Sequence, residues 1–165
     1  VGFGRIGQAL AKLAIGAGME VVFSDMHNDD IDVAIEFFDG QSLSFTCKNV
    51  GLDGVLAQSD FISLHVPGGD LIGAAEIAKM KDGVFLLNAA RGGVINEEAL
   101  LDALESGKVA GAGLDVFKNE PTPAVKVLMN GKVSLTPHIG AATGEAQDRI
   151  GTELAAHIDS LAASL

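Results

Sequence analysis

A chain of 165 residues, 48% hydrophobic and 20% charged, fits one globular domain with a sizeable core rather than a disordered segment. Its formal net charge of −11 repels phosphate backbones and anionic lipid, which argues against nucleic acid and membrane surfaces as partners. The single Cys47 can form no internal disulfide, no apolar stretch reaches membrane-span length and no signal peptide is visible, so a cytoplasmic location is expected.

The chain opens with VGFGRIGQALAKL, in which Gly2, Gly4 and Gly7 form G-x-G-x-x-G. A strand is expected ahead of Gly2; only Val1 of it is present, so the chain reads as a fragment with its first strand truncated. Ile6, Leu10 and Leu13 then share one face of a helix that stops near Gly16 and Gly18. Glu20 to Ser24 reads as a strand, followed by a polar turn, a helix from about Asp30 to Phe38, and a strand over Leu43 to Cys47. Phe61 to His65 and Gly83 to Asn88 are the next strands, the former ending at Pro67. Asn96 can cap a helix with Glu97 and Glu98 in its first turn, running to about Ser106 and ending at Gly107. Strands over Val109 to Val116 and Val133 to Thr136 follow, then a helix from about Gly144 to Leu161 with Ile150, Leu154, Ile158 and Leu161 on one face. Short apolar strands alternating with helices predict an α/β fold with a doubly wound parallel sheet, a Rossmann-like dinucleotide-binding domain over residues 1–165.

In that fold the first glycine permits a tight turn, the second lets backbone approach a pyrophosphate, and the third lets helix pack on strand. The helix N-terminus adds free N–H groups and the positive end of its dipole. Asp25 ends the strand after the helix, 18 residues beyond Gly7, where a carboxylate takes the ribose hydroxyls and repels a 2′-phosphate. NAD is therefore the expected cofactor. The plainer alternative is that Asp25 only opens a turn with Asn28 and Asp29.

Three polar residues follow strand ends: Arg91 in NAARGGVINEEAL, Glu120 in GLDVFKNEPTP and His138 in SLTPHIGAA. Singly, they read as an exposed turn residue, a solvated loop charge and a backbone-bonded histidine. Together, behind a dinucleotide fingerprint and at the strand ends that line the ligand crevice, they form a catalytic set. His138 can exchange the hydroxyl proton of a 2-hydroxy acid, Glu120 can orient the imidazole and favour its protonated form, and Arg91 offers a planar fork for a carboxylate. Asp115 could meet the nicotinamide edge. His65 reads as packing near the cofactor, His27 as a turn residue, His157 as surface and Cys47 as an apolar filler; no spacing suggests a metal site.

GFGRIGQALA, SDFISLHVP, KMKDGVFLLNAARGGVINEEAL, KVAGAGLDVFKNEP and SLTPHIGAAT resemble, in order, the signature blocks of the D-isomer-specific 2-hydroxyacid dehydrogenases. The run NEPTPAVKVLM…LTPHIGAATGEAQDRIGTEL is most similar to short bacterial D-3-phosphoglycerate dehydrogenases. The resemblance implies catalytic roles for Arg91, Glu120 and His138, pyrophosphate contacts at Arg5 and Ile6, and a ribose contact at Asp25. It also implies cofactor contacts at Val66, Pro67, Ala89, Ala90, Arg91 and Asp115, and a wall beside the nicotinamide from His138 through Ile139 and Gly140 to Ala141. Formate dehydrogenases of the superfamily carry Gln where this chain has Glu120, which disfavours formate. After Pro67 the loop GGDLI is shorter than the family's usual loop, and the family's substrate domain is absent from this chain.

The function so implied is NAD-dependent interconversion of a D-2-hydroxy acid and its 2-keto acid, with 3-phosphoglycerate, and hence serine biosynthesis, as the expected substrate and setting. A glyoxylate or hydroxypyruvate reductase is the alternative within the class, and an NAD-sensing corepressor-like binding protein the alternative outside it. A homodimer through this domain is expected by the same analogy.

Overall fold

The sequence builds strands where β-branched and aromatic residues alternate, and the computed structural model, which describes residues 1–27 and 29–164, arranges them in two adjoining sheets. Asn28 and Leu165 lie outside the described residues. The elements in chain order begin with α1 (Arg5–Gly16), β1 (Val22–Phe23), β2 (Ile31–Glu36) and β3 (Ser42–Asn49). They continue through α2 (Gly51–Gln58), β4 (Phe61–Leu64), α3 (Ala74–Lys79), β5 (Val84–Asn88), α4 (Glu97–Ser106) and β6 (Val109–Leu114). The last are α5 (Val125–Leu128), β7 (Val133–Leu135) and α6 (Gly144–Ala163).

One sheet has the order β4-β5-β6-β7, all parallel; the other has the order β1-β3-β2, with β1 parallel to β3 and β2 antiparallel to it. Val1–Phe3 bridge the two: Gly2 N–H donates to Ser24 O (2.8 Å), His65 N–H to Val1 O (2.8 Å), and the Val1 amine to Ser63 O (2.7 Å). The α/β class with a parallel sheet and flanking helices is as the sequence predicts.

One element is not. The helix expected over Asp30–Phe38 is the strand β2, paired residue for residue with β3 from Ile31↔Cys47 to Glu36↔Ser42. Ile31, Val33 and Ile35 alternate with Asp32, Ala34 and Glu36, a period of two that puts Val33 and Cys47 into the core. Asp39–Gly40 closes the hairpin, with Gly40 at φ 83°. The strand expected over Glu20–Ser24 is confined to Val22–Phe23. The short helices α2, α3 and α5 were not expected at all; each has only one turn or two in which to show a period.

Ile62, Leu64, Leu86 and Leu114 face α2, α3 and α4, burying Leu56, Ile77, Leu100 and Leu104 against them. A second cluster of Phe3, Ala11, Phe23, Val33 and Cys47 lies under α1, with the Phe3 and Phe23 rings stacked at 4.0 Å. The face α1 turns inward is Gly7 and Ala11, whereas Ile6 and Leu13 are more than 70% exposed. Helix α6 begins at a Thr143 side chain that accepts from Ala146 N–H, and buries none of its residues. No helix among the described residues is long and apolar enough to cross a membrane.

Candidate functional site

A parallel sheet delivers every strand's C-terminal end to the same edge; Val66, Ala89–Arg91, Asp115 and His138 lie just past the ends of β4, β5, β6 and β7, and Asp25 just past β1 of the adjoining sheet. The glycine turn belongs to this edge. Gly2 has φ 82°, and a Cβ there would lie 2.5 Å from His65 O; a Cβ on Gly7 would lie 2.4 Å from Gly2 O. Neither position admits a side chain, because the blocking atoms are backbone. Gly4 instead faces open space and forms the N-cap of α1 with no side-chain hydrogen bond. The first N–H groups of α1, at Arg5 and Ile6, thus lack intrahelical acceptors beside a turn with no Cβ to obstruct it, a fit for a diphosphate. The Arg5 guanidinium itself turns to α6, forming two bonds with Glu153 at 3.0 and 2.7 Å.

Asp25 follows β1, where the sequence leads one to expect a ribose contact. One carboxylate oxygen accepts from Phe3 N–H at 2.6 Å and the other from His27 N–H at 3.4 Å. The Phe3 bond foremost holds the carboxyl below its ordinary range, so it is an anion able to accept from a diol. Asn49, at the end of β3, braces the turn by donating from its side chain to His27 O and to Asp25 O (3.5 Å). His65 is half-buried with Ser63 Oγ 3.0 Å from its Nε2, and burial, then the Val1 amine, lowers its pKa. Val66 packs beside Gly2, while Pro67 is exposed and runs into Gly68 and Gly69. His157 is exposed on α6.

The turn after β5 is organised by a residue the sequence did not single out. Asn88 is buried; its Nδ2 donates to Arg91 O (3.0 Å) and its Oδ1 accepts from Ala90 N–H (3.1 Å). Its signal was an asparagine closing an apolar strand, the side chain that most readily folds the backbone into a turn. Ala89 and Arg91 are exposed and Ala90 buried, and Arg91 Nη1 donates to Ala90 O at 2.7 Å. Gly92 lets this turn press on the next loop, since a Cβ there would lie 1.8 Å from Phe117 O.

That loop carries Glu120. Its Oε1 accepts from Phe117 N–H (2.9 Å) and its Oε2 lies 2.6 Å from His138 Nδ1. The histidine bond, then the Phe117 bond, hold the Glu120 carboxyl below the usual range. With Nδ1 engaged, Nε2 is the ring nitrogen left for a reactant. Glu120 and His138, 18 residues apart, are therefore joined; Arg91 borders the Glu120 loop through Gly92 and makes no ion pair with either. Asp115 is buried, and its carboxylate accepts from Thr136 Oγ1 (2.6 Å), Ile139 N–H (2.9 Å) and Gly140 N–H (2.9 Å). Ala141 continues that loop, exposed. A groove of about 500 Å³, lined by Gly2, Gly7, Leu10, Val22, Phe61 and His65 among others, holds none of Asp25, Arg91, Glu120 or His138.

The arrangement has relatives. The family model for the D-isomer specific 2-hydroxyacid dehydrogenase NAD binding domain matches residues 1–140. A hydroxypyruvate reductase of Thermotoga maritima is 47% identical over 93% of this chain and 49% of its own length. A D-3-phosphoglycerate dehydrogenase of Mycobacterium tuberculosis is 42% identical over 94% of this chain and 28% of its own. A solved glyoxylate reductase from Paecilomyes thermophila superposes with a TM-score of 0.77 at 40% identity, covering 92% of this chain and 44% of that one. The chain thus spans less than half the length of each of these three relatives. Glycine turn, strand-end loops and sequence agree on the lineage: the chain belongs to the D-isomer specific 2-hydroxyacid dehydrogenases, as their NAD-binding domain.

Proposed function

We propose that this domain serves an enzyme interconverting a D-2-hydroxy acid and its 2-keto acid with NAD, and that the acid is 3-phosphoglycerate. The observation that carries the reading is the 2.6 Å contact between Glu120 and His138 at the strand-end edge shared with the glycine turn. NAD, when bound, supplies the hydride acceptor for the substrate carbon. His138 takes the hydroxyl proton at Nε2 as the carbonyl forms, and returns it in reduction. Glu120 fixes the ring through Nδ1 and balances the charge the imidazole gains. Arg91 pairs with the substrate carboxylate through its planar fork, which orients the reacting carbon.

The cofactor contacts follow the same edge: Gly2, Gly4, Gly7, Arg5 and Ile6 at the diphosphate, Asp25 at the ribose. Val66, Pro67, Ala89, Ala90, Asp115 and the 138–141 loop line the path to the nicotinamide. The 3-phosphoglycerate assignment is supported by the similarity of the 119–154 region to phosphoglycerate dehydrogenases and by the 42% identical mycobacterial relative. A hydroxypyruvate substrate is the second reading, favoured by the 47% identical Thermotoga relative. The buried thiol of Cys47 supports a reducing, cytoplasmic setting, and the exposed apolar residues Ile6, Leu13, Phe61 and Phe85 offer surface for a homodimer.

The test is NAD-linked oxidation of 3-phosphoglycerate by the full-length protein, with hydroxypyruvate and glyoxylate reduction in parallel. Activity lost by roughly 10²-fold or more in His138→Ala is the expected result, the share positioned acid–base catalysis supplies. An unchanged rate in that variant overturns the catalytic assignment, and the preferred acid decides between the two substrates.

A further inference from the structure

Eleven consecutive residues, Glu36 to Thr46, are exposed, and they form the distal half of the β2–β3 hairpin. The two strands pair from Ile31↔Cys47 out to Glu36↔Ser42, and directly opposite partners share a face. One face carries Asp32–Thr46, Ala34–Ser44 and Glu36–Ser42, and is polar. The other carries Ile31–Cys47, Val33–Phe45 and Ile35–Leu43, with Phe37 next in the alternation, and holds no charge. Near the sheet this apolar face is covered, because Val33 and Cys47 are buried in the cluster under α1. Farther out the cover ends, leaving Phe45 39%, Leu43 55% and Phe37 46% exposed, with Phe38 fully exposed at the turn. Such a face on a chain of net charge −11 is costly in water unless another surface covers it.

We propose that two copies of this chain pack their β2–β3 arms face to face about a twofold axis, through Ile35, Phe37, Leu43 and Phe45, with Phe38 at the margin. A second copy fits for reasons of shape, charge and area. A twofold contact sets one patch against itself, and stacked sheet faces of aliphatic and aromatic side chains interdigitate in this way. The carboxylates of the two strands, Asp32 and Glu36, lie on the polar face, so like charges stay outside the contact although each chain is acidic. The exposed parts of Phe37, Phe38, Leu43 and Phe45 come to about 500 Å² per copy, hence roughly 1,000 Å² over both, where specific interfaces begin. Strand β3 ends beside Phe23, and the turn of the arm lies roughly 23 Å back along it, so pairing leaves the nucleotide edge of both copies open. The contact is separate from the surface that Ile6, Leu13, Phe61 and Phe85 offer and adds to any pairing made there.

The experiment is analytical sedimentation of the full-length protein from about 1 to 100 µM, comparing the wild type with Leu43→Glu and Ser44→Glu. Leu43→Glu sets a charge in the apolar face, and Ser44→Glu sets the same charge one residue on, in the polar face. The wild type should gain mass with concentration, its apparent Kd in the micromolar range that an interface of this size allows. In Leu43→Glu assembly should stop at half the wild-type mass, with the Kd raised roughly 10²-fold or more, because twofold symmetry counts the substitution twice. Ser44→Glu should assemble as the wild type does, and both variants should keep its circular dichroism spectrum. Should Leu43→Glu fail that control, Phe37→Ser carries the test in its place. A Leu43→Glu protein that assembles like the wild type overturns the proposal, as does a wild type that is monomeric at the highest concentration. An equal loss in Ser44→Glu also overturns it, since association would then answer to net charge rather than to one face of the arm.

Discussion

Replacing Gly92 with alanine probes the contact on which the relative position of Arg91 and Glu120 depends. The added methyl would sit 1.8 Å from Phe117 O, 2.4 Å from its carbonyl carbon and 3.1 Å from Lys118 N. All three are backbone atoms, so no side chain can swing aside, and the two loops must part by about 1 Å or more to restore van der Waals distance. The Phe117 loop resists, because Lys118 N–H donates to Glu97 Oε1 at 2.7 Å and Phe117 N–H to Glu120 at 2.9 Å. Overpacking of this kind costs about 1–3 kcal/mol. A displacement of that size at a reacting group costs roughly 10² in rate. Urea unfolding should therefore show a lower midpoint at unchanged slope, and kcat/KM of the full-length protein should drop far more than stability alone accounts for. A variant with wild-type midpoint and wild-type kcat/KM would refute the claim that this backbone contact sets the spacing of the two loops.

Asp25→Asn retains an oxygen for the Phe3 N–H but removes the charge, so NAD should bind roughly tenfold more weakly and the preference over NADP should narrow. Titration with both nucleotides checks this, and an unaltered ratio places the ribose selectivity elsewhere. Acid should destabilise the fold through Asp25 and Asp115, whose folded pKa values lie below the ordinary 3.8. Their contribution is fully present above pH 3.8 and is lost as pH falls through the lower folded values. Urea midpoints measured from pH 6 down to pH 2 should thus decline steeply only at the acid end, and less so in Asp115→Asn.

Elements whose ends carry their own chemistry were legible from sequence. Asn96 accepts from Ala99 N–H and Gly107 takes φ 80°, so α4 starts and stops where its sequence says. Strand β3 lies where the sequence predicts a strand over Leu43–Cys47, whereas β2 reads as a helix because Ala34 and Glu36 favour helices, against the stronger signals of the alternating Ile31, Val33 and Ile35 and the Asp39–Gly40 turn. The stripe of Ile6, Leu10 and Leu13 on α1 correctly marks a helix but not its buried side, since close approach to the sheet selects the small Gly7 and Ala11. In the site, the strand-end rule pointed to Arg91, Glu120 and His138. The Glu120–His138 contact and the left-handed backbone of His138 depend on how separate strands are laid side by side, which spacing along one chain does not encode.

Among the described residues, nothing pairs with the outer hydrogen-bonding rim of strand β2. Such a rim invites a further strand, and the sequence guards it with Asp30 at its approach and Asp32 and Glu36 along it, Asp32 also tied to Thr46 Oγ1 at 2.6 Å. Monodispersity near neutral pH is accordingly expected to depend on charge at this margin. Once those carboxyls are neutralised, by acid or by substitution, neighbouring molecules can zip together edge to edge, and light scattering should register the onset before helical content declines.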